Sequence, residues 1–231
     1  MLGGAPACGN PGEACSGYLV AAGETRILLD CGPGVVSSLL ERDPRPLDAV
    51  VLSHCHHDHV GDLTTLGYAH RFGMLAGHPA PPVYSPTPLA AMFTATGADA
   101  NHLEVRPIDG ALQIGDASLS FCAMVHPGGS NAVRIEHKGS ILCFSGDTAP
   151  TPALAEHARG AGVLLCEATM DAASPVHLHA SECGRIARAA GVRTLVLTHH
   201  LVSERGGAIA AARGTFGQHV IAATPGLRVA C

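Results

Sequence analysis

Short apolar runs separated by glycine- and proline-rich turns dominate this chain. Runs of four to eight apolar residues bounded by turn residues are typical of buried strands. The pattern predicts strands at Gly17–Val20, Thr25–Leu29, Ala49–Leu52, Ala117–Val125, Asn131–His137, Ser140–Phe144, Val163–Cys166, Thr194–Thr198 and, as the last strand, near Leu227–Ala230.

Helical spacing of apolar positions recurs between these runs. Asp62 and Thr87 stand where N-caps are expected, and Pro88 suits a first helical position. The predicted helices are Val35–Glu41, Leu63–Phe72, Pro88–Ala95, Ser181–Ala189 and Gly207–Arg213. Because no low-complexity linker interrupts the alternation, we expect one α/β domain over residues 1–231.

The segment Ser53-His54-Cys55-His56-His57-Asp58-His59-Val60-Gly61 concentrates four histidines and one aspartate directly after an apolar strand. Imidazole and carboxylate are common metal ligands. In a turn, His54 and His56 can face one ion while Asp58 and His59 face a second. We therefore predict a metal site, with two ions, rather than a set of unrelated surface or core histidines. His57 is interpreted as a spacer, and Cys55 as facing away from the ions.

The segment from His54 to His59 resembles the signature of the metallo-β-lactamase superfamily, and most closely its RNase Z-like and small phosphodiesterase branch. The matching positions elsewhere are Asp30, His126, Asp147, Glu167, His177 and His199. The resemblance implies a four-layer αβ/βα sandwich with its site along one edge of two sheets. The candidate ligands follow predicted strands, as that fold requires.

The resemblance also implies the ligand sets: His54, His56 and His126 for one ion, Asp58, His59 and His199 for the other, with Asp147 bridging both. A hydroxide bridging the ions would attack the substrate, and Asp58 would orient it. Asp30 is expected to support the metal loop rather than to bind an ion. The expected cofactors are two divalent metal ions, zinc by default, with manganese or iron as alternatives.

Leaving-group chemistry is the expected role of His177. In the resembled branch a histidine of this segment contacts the scissile phosphate and is oriented by a glutamate, which Glu167 matches. An imidazole held by a carboxylate stays protonated more readily and can donate to a departing alkoxide. His179 is the alternative donor, although His177 is favoured. His200 is expected at the rim of the site.

The composition and charge of the chain limit the kinds of substrate and partner that are expected. The 231 residues are 47% hydrophobic, and the formal charge of −5 argues against a strong nucleic-acid surface. The nine cysteines are scattered without a C-x-x-C pair, and there is neither a signal-like start nor a membrane-length apolar run. A cytoplasmic protein with a small-molecule or short-nucleotide substrate is expected, with no membrane partner and homodimerisation as an option. Only Met1-Leu2 precede Gly3-Gly4, where the resembled family has a short strand, so we expect the start of the sequence to be either misassigned or trimmed.

The leading functional hypothesis is a dinuclear metal-dependent phosphodiesterase acting on a small or cyclic phosphodiester or an RNA end. The alternative is an acyl hydrolase of lactones, thioesters or β-lactams. Against it, Asp147 stands where β-lactamases carry Cys or Ser, and no tyrosine directly follows a ligand. In the resembled family, tRNA-processing members carry a long arm between the residues that correspond to His126 and Asp147. Only a short hairpin is predicted there in this sequence, which disfavours tRNA processing. A non-catalytic metal-binding module on the same fold is the third hypothesis.

Overall fold

The computed structural model describes residues 1–86, 102–217 and 219–231 of the chain. The predicted helix Pro88–Ala95, with Thr87 as its N-cap, lies outside these ranges.

Two sheets form the centre of the described part of the chain. The N-terminal sheet has the spatial order β1 (Tyr18–Ala22), β2 (Thr25–Leu29), β3 (Ala49–Val51), β4 (Val83–Ser85) and β5 (Val105–Pro107). The C-terminal sheet has the order β12 (His219–Ala222), β11 (Thr194–Thr198), β10 (Val163–Glu167), β9 (Ser140–Phe144), β8 (Ser130–His137), β7 (Ala117–Met124) and β6 (Leu112–Ile114). Strands β2 to β5 run parallel, as do β9 to β12, whereas β6 to β9 form an antiparallel meander.

Helices cover the outer faces of both sheets. In the described ranges they are α1 (Val35–Arg42), α2 (His57–Val60), α3 (Leu63–Phe72), α4 (Pro152–His157), α5 (Ala180–Ala190) and α6 (Arg205–Phe216). None of these helices combines the length and the apolar character needed to cross a bilayer.

Three apolar cores show that the layers stack as helix, sheet, sheet and helix. One core joins α1 and α3 to the N-terminal sheet, for example through Leu39 and Leu66 against Val50. A second fills the space between the sheets, and a third joins the C-terminal sheet to α4, α5 and α6. Residues alternate between cores along a strand, since Leu164 faces the helices and Leu165 faces the other sheet. The predicted αβ/βα sandwich is therefore confirmed.

The parallel strands bring the candidate site residues to one edge of the sandwich. Asp30 follows β2, the histidine-rich segment follows β3, and Asp147 follows β9. Glu167 ends β10, and His199 follows β11 directly. Carboxyl ends of parallel strands meet at the same sheet edge, where ligands bind in α/β folds.

Several elements differ from the sequence prediction. The prediction of a strand near Leu227–Ala230 is wrong, because this segment is irregular, with Val229 packed on the inter-sheet core. The short elements β4, β5, β6, β12, α2 and α4 were not predicted. Asp62 stands at the N-cap of α3, yet its carboxylate accepts the amide of Val36 in α1 instead of capping its own helix.

The contact between α5 and α6 depends on Gly184. A Cβ at this position would meet the hydroxyl of Thr215 and lie 2.5 Å from the carbonyl oxygen of Ala212. We expect Gly184→Ala to destabilise the protein by about 1–3 kcal/mol, because overpacking outweighs the better helix propensity of alanine. Urea unfolding measures this.

Gly214, in α6, is the matched control because a Cβ there meets no atom within 4 Å. Gly214→Ala is expected to raise the free energy of unfolding by up to about 1 kcal/mol. Equal effects of the two substitutions would contradict the close approach of α5 and α6.

Candidate metal centre

Four overlapping groups of potential ligand atoms lie at the shared sheet edge among the described residues. Two of them add His177, once with His126 and Asp147 and once with Glu167 and His199, and the other two contain all of the predicted ligands. His54, His56 and His126 form one group, with one ring nitrogen from each within 4.8 Å of the others. The second group, assembled to the same limit, consists of Asp58, His59, Asp147 and His199. In the first group, His126 Nε2 lies 3.1 Å from His56 Nδ1. Two ligands at tetrahedral angles on a zinc ion would be about 3.3 Å apart.

Asp147 lies between the two groups. Its Oδ2 is 3.8 Å from His54 Nε2 and 3.8 Å from His199 Nε2, whereas its Oδ1 is 3.5 Å from His59 Nε2. Gly146, directly before it, has a φ of 58°, and a Cβ there would lie 2.7 Å from the carbonyl oxygen of Asn131. The tight turn therefore requires glycine and aims the following carboxylate between the sheets.

Asp30 holds the ligand loop from beneath. It is fully buried, and its Oδ2 accepts His59 Nδ1 at 2.7 Å and the Ser53 hydroxyl at 2.8 Å. The amide of Ser53 donates to Oδ1 at 2.7 Å, and Ser53 Oγ lies 3.1 Å from His54 Nδ1. Because the Ser53 hydroxyl donates its proton to the carboxylate of Asp30, its oxygen accepts a hydrogen bond from His54 Nδ1. Both histidines therefore carry the proton on Nδ1 and turn Nε2 towards the ligand groups.

Two further histidines are oriented in the same way. His126 Nδ1 lies 3.0 Å from the carbonyl oxygen of Val176, which only accepts. His199 Nδ1 lies 2.7 Å from the hydroxyl of Thr169. His199 also adopts a left-handed backbone with a φ of 60°, and its amide donates to the carbonyl of Gly4. Metal-ligating histidines commonly bond their second ring N–H in this manner.

Charge in the second group is unevenly balanced. Burial alone would lower the pKa of His59, but the carboxylates of Asp147 and Asp30 hold it well above the usual value. Burial is likewise overcome at His199, where Asp147 and Asp58 raise the pKa. Against the effect of burial, His199 and His59 in turn hold the pKa of Asp147 well below its usual range. The buried carboxylates of this group thus favour positive charge beside them, either on the imidazoles or on a cation bound between them.

The donor set fits divalent cations. His54 Nε2 and His59 Nε2 are buried and have no hydrogen-bond partner among the described residues. Burial lowers the pKa of His54 to about 2, so its ring is neutral and presents a lone pair. Ring nitrogens of buried imidazoles beside carboxylates are the kind of ligand that zinc and related ions bind.

His177 and Glu167 lie beside these groups. His177 Nδ1 is 3.1 Å from Glu167 Oε1 and 3.8 Å from Asp147 Oδ2. Glu167 is fully buried, and its hydrogen bond raises the pKa of His177. The side chain of His177 is 20% exposed, so this imidazole reaches the solvent-facing side of the centre.

The other predicted neighbours lie apart from the ligand groups. His179 precedes α5 and contacts the Ser181 hydroxyl at 2.8 Å, in none of the candidate ligand groups of the described residues. His200 is only 1% exposed and lies 3.4 Å from Arg205 Nε, so its expected place at the rim is wrong. Cys55 Sγ is 3.4 Å from Ser85 Oγ and faces the helix-side core, as expected.

Sequence reasoning missed the two hydroxyl groups that link carboxylates to imidazoles. Ser53 joins Asp30 to His54, and Thr169 joins Glu167 to His199. Ser53 immediately precedes the histidine-rich segment and Thr169 follows Glu167 by two residues. Both positions could have been singled out as hydroxyls beside candidate ligands.

Comparison with known proteins shows which family the chain belongs to. A family model described as the β-lactamase superfamily domain matches residues 25–200. The probable metallo-hydrolase YhfI of Bacillus subtilis is 33% identical over 206 residues, covering 85% of this chain and 83% of its own. A crystal structure of YhfI covers 98% of this chain and 96% of its own, with a TM-score of 0.89 and 28% identity. A ribonuclease Z of Mycolicibacterium paratuberculosis is 28% identical over 237 residues, with coverages of 87% and 85%.

The chain therefore belongs to the metallo-hydrolases of the β-lactamase superfamily. Its fold implies binding of divalent metal, and the His/Asp groups at the sheet edge are the residues that can hold it.

Asp30→Asn tests the support of the ligand loop. Asparagine tolerates the left-handed backbone at this position, where φ is 57°. Both oxygens of Asp30 accept hydrogen bonds, so an amide NH₂ would meet a donor on either side. We expect zinc affinity, measured by competition with a chromogenic chelator, to fall roughly 10–100-fold.

Asp62→Asn is the control, because that carboxylate accepts a backbone amide near the same loop but contacts no candidate ligand among the described residues. Zinc affinity that is unchanged in Asp30→Asn, or reduced equally in both variants, would contradict the role given to Asp30.

Proposed function

We propose that this protein is a dinuclear metal-dependent phosphodiesterase that acts on a small or cyclic phosphodiester or on an RNA end. The observation that carries the proposal is the His177–Glu167 pair, set beside the two ligand groups and open to solvent. Support also comes from the relative named ribonuclease Z, which covers most of both chains.

His177 is the proposed proton donor to the leaving group. Its Nδ1–H is held by Glu167, so Nε2 is the atom left to protonate a departing alkoxide. The hydrogen bond to Glu167 raises the pKa of His177 and so favours the cationic form of this ring. A protonated His177 would also attract the negatively charged phosphoryl group. This contribution matters because, among the described residues, no arginine or lysine forms an ion pair with the ligand groups.

Asp58 is the proposed group that orients the attacking water and accepts its proton. Its Oδ2 lies 2.9 Å from His199 Nε2 and 3.4 Å from His59 Nε2, inside the second ligand group. When bound, two divalent ions supply Lewis-acid polarisation of the phosphoryl oxygens and lower the pKa of water. His54, His56 and His126 would hold one ion, Asp58, His59 and His199 the other, and Asp147 would contact both.

The structure around the centre favours a small substrate. The interval between His126 and Asp147 contains only the short hairpin of β8 and β9, with its turn at Lys138 and Gly139. Arg205, at the start of α6, is engaged by both carboxylate oxygens of Glu13 at 2.9 Å. Neither feature offers the extended basic surface that a large folded RNA requires.

The acyl-hydrolase alternative would benefit from a tyrosine hydroxyl at the centre. Tyr18 OH instead contacts Thr198 Oγ1 at 2.7 Å, and Tyr84 OH contacts Arg106 on the first sheet. Tyr68 is exposed on α3.

The proton-donor role predicts that His177→Ala harms substrates in proportion to the basicity of their leaving group. With zinc- or manganese-loaded protein, kcat for a diphenyl phosphodiester should fall about 10²–10⁴-fold, because phenolate needs a proton. Bis(p-nitrophenyl) phosphate, whose leaving group is much less basic, should be affected far less. Steady-state kinetics at matched metal content measure both.

His179→Ala is the matched control, two residues along the same segment but outside the ligand groups, and it should show no dependence on the leaving group. Turnover of nitrocefin or of lactones alone, indifferent to His177→Ala, would move the protein to the acyl-hydrolase class. A protein that binds metal and hydrolyses none of these substrates would favour the non-catalytic alternative.

The dinuclear assignment predicts two zinc ions per chain in a titration followed by elemental analysis. Removing them with a chelator should lower the Tm, because ions that bind the folded state stabilise it. His199→Ala should reduce the stoichiometry to one ion per chain, since the His54 group remains complete. A wild-type stoichiometry of one would show that a single ion serves the centre.

A further inference from the structure

Thr169 lies between Glu167, which contacts the proposed proton donor His177, and His199 of the second ligand group. Its hydroxyl oxygen is 2.6 Å from Glu167 Oε2 and 2.7 Å from His199 Nδ1. The loop that carries it follows β10, and its backbone amide approaches the same carboxylate oxygen at 3.4 Å. The hydroxyl therefore contacts a fully buried carboxylate and a nearly buried imidazole at once.

The direction of these two hydrogen bonds follows from the donors available. A carboxylate only accepts, so at 2.6 Å the single Thr169 proton is directed to Glu167. The hydroxyl oxygen then accepts the proton on His199 Nδ1. The opposite assignment would place two oxygen lone pairs against each other at hydrogen-bond distance. His199 thus carries a proton on Nδ1, and Nε2 is the ring nitrogen that faces Asp58 and Asp147.

We propose that Thr169 is a positioning residue. Its hydroxyl connects the carboxylate of Glu167 to Nδ1 of His199 by hydrogen bonds, and this connection strengthens His199 as a ligand of the second metal position. The proposal rests on the metal assignment made under the proposed function, but not on the identity of the substrate.

Glu167 is built to serve both sides of this arrangement. Its Oε1 accepts the Thr148 amide at 2.8 Å and His177 Nδ1 at 3.1 Å, while Oε2 accepts from Thr169. One buried carboxylate therefore orients the proposed proton donor directly and the proposed metal ligand through a hydroxyl. Loss of the hydroxyl would separate the two functions without removing the carboxylate.

The same construction occurs independently on the other sheet. Asp30 holds His59 directly and holds His54 through the hydroxyl of Ser53. Because both hydroxyls stand between a buried carboxylate and the Nδ1 of a candidate ligand, chance contact is a poor explanation of either. In each case the hydroxyl leaves Nε2 as the atom that faces the ligand groups.

Thr169→Val tests the proposal, since valine retains the shape and removes the hydroxyl. With zinc and a competing chelator, we expect the affinity for one ion per chain to fall roughly 10–100-fold. Thr169→Ser, which keeps a hydroxyl, should restore most of that affinity. In two-bond ¹H–¹⁵N spectra of the zinc-loaded protein, His199 should carry its proton on Nδ1, and this signal should shift or broaden only in the valine variant.

Thr215→Val provides the control for removing a buried threonine hydroxyl. Among the described residues, the Thr215 hydroxyl donates to the backbone carbonyls of Ser181 and Ala212, on α5 and α6 away from the centre. The Thr215→Val substitution should lower the free energy of unfolding without changing zinc affinity.

Unchanged zinc affinity in a folded Thr169→Val variant would overturn the proposal, as would equal losses in the serine and valine variants. Because zinc affinity is measured without substrate, a protein that fails to cleave phosphodiesters but shows the predicted valine and serine pattern would sink only the proposed function.

Discussion

The carboxylates of Asp30, Asp147 and Glu167 are almost fully buried at the edge where the strands of both sheets end, with Asp58 beside them. The rest of the centre depends on how the charge of these groups is balanced. An unpaired buried carboxylate is strongly unfavourable, so each must be surrounded by donors or cations. Asp30 and Glu167 are satisfied by backbone amides, hydroxyls and imidazoles. Asp147 is surrounded almost entirely by histidine nitrogens at 3.5–4.0 Å, too distant for strong hydrogen bonds. This difference separates the supporting carboxylates from the one placed to contact metal.

The sheet topology explains why such a concentration of charge is possible at all. The interior between the sheets is filled by apolar side chains, and the polar residues appear where the parallel strands end. The loops that leave the edge contribute the functional groups, from Asp30 alone after β2 to four side chains in the segment from His54 to His59. Glycines at the tightest turns let these loops approach closely. Gly32, for example, packs so near the carbonyl of Asp58 that a Cβ would overlap it. The apolar layers stabilise the scaffold, while the edge carries the chemistry.

Much of this could be predicted from the sequence because the informative signals are local. The spacing within His54–His59 and the apolar run before it indicated metal binding directly, and strand ends located His126, Glu167 and His199 once the resemblance was recognised. Three-residue strands such as β4 and β5 carry too few positions to show a period. The apolar run at Leu227–Ala230 indicated a strand, but a strand forms only where a run pairs with another strand, and the last strand of the described residues is instead β12, which pairs with β11. His200 followed a ligand, yet its partner Arg205 lies in a helix whose position no local pattern reveals.

The hydroxyl groups of Ser53 and Thr169 show what local signals omit. A serine or threonine is common in any loop, and only the distances to two partners at once distinguish a connecting hydroxyl from a solvated one. In this structure each connects a buried carboxylate to a histidine, so that two carboxylates orient four imidazoles: Asp30 orients His59 and His54, and Glu167 orients His177 and His199. Asp30 thereby spans both candidate ligand groups, whereas Glu167 spans a ligand group and the proposed proton donor. A change at Asp30 should therefore weaken metal binding as a whole, while a change at Glu167 should couple metal binding to leaving-group chemistry. This asymmetry follows from connectivity alone and is independent of which divalent ion the protein uses.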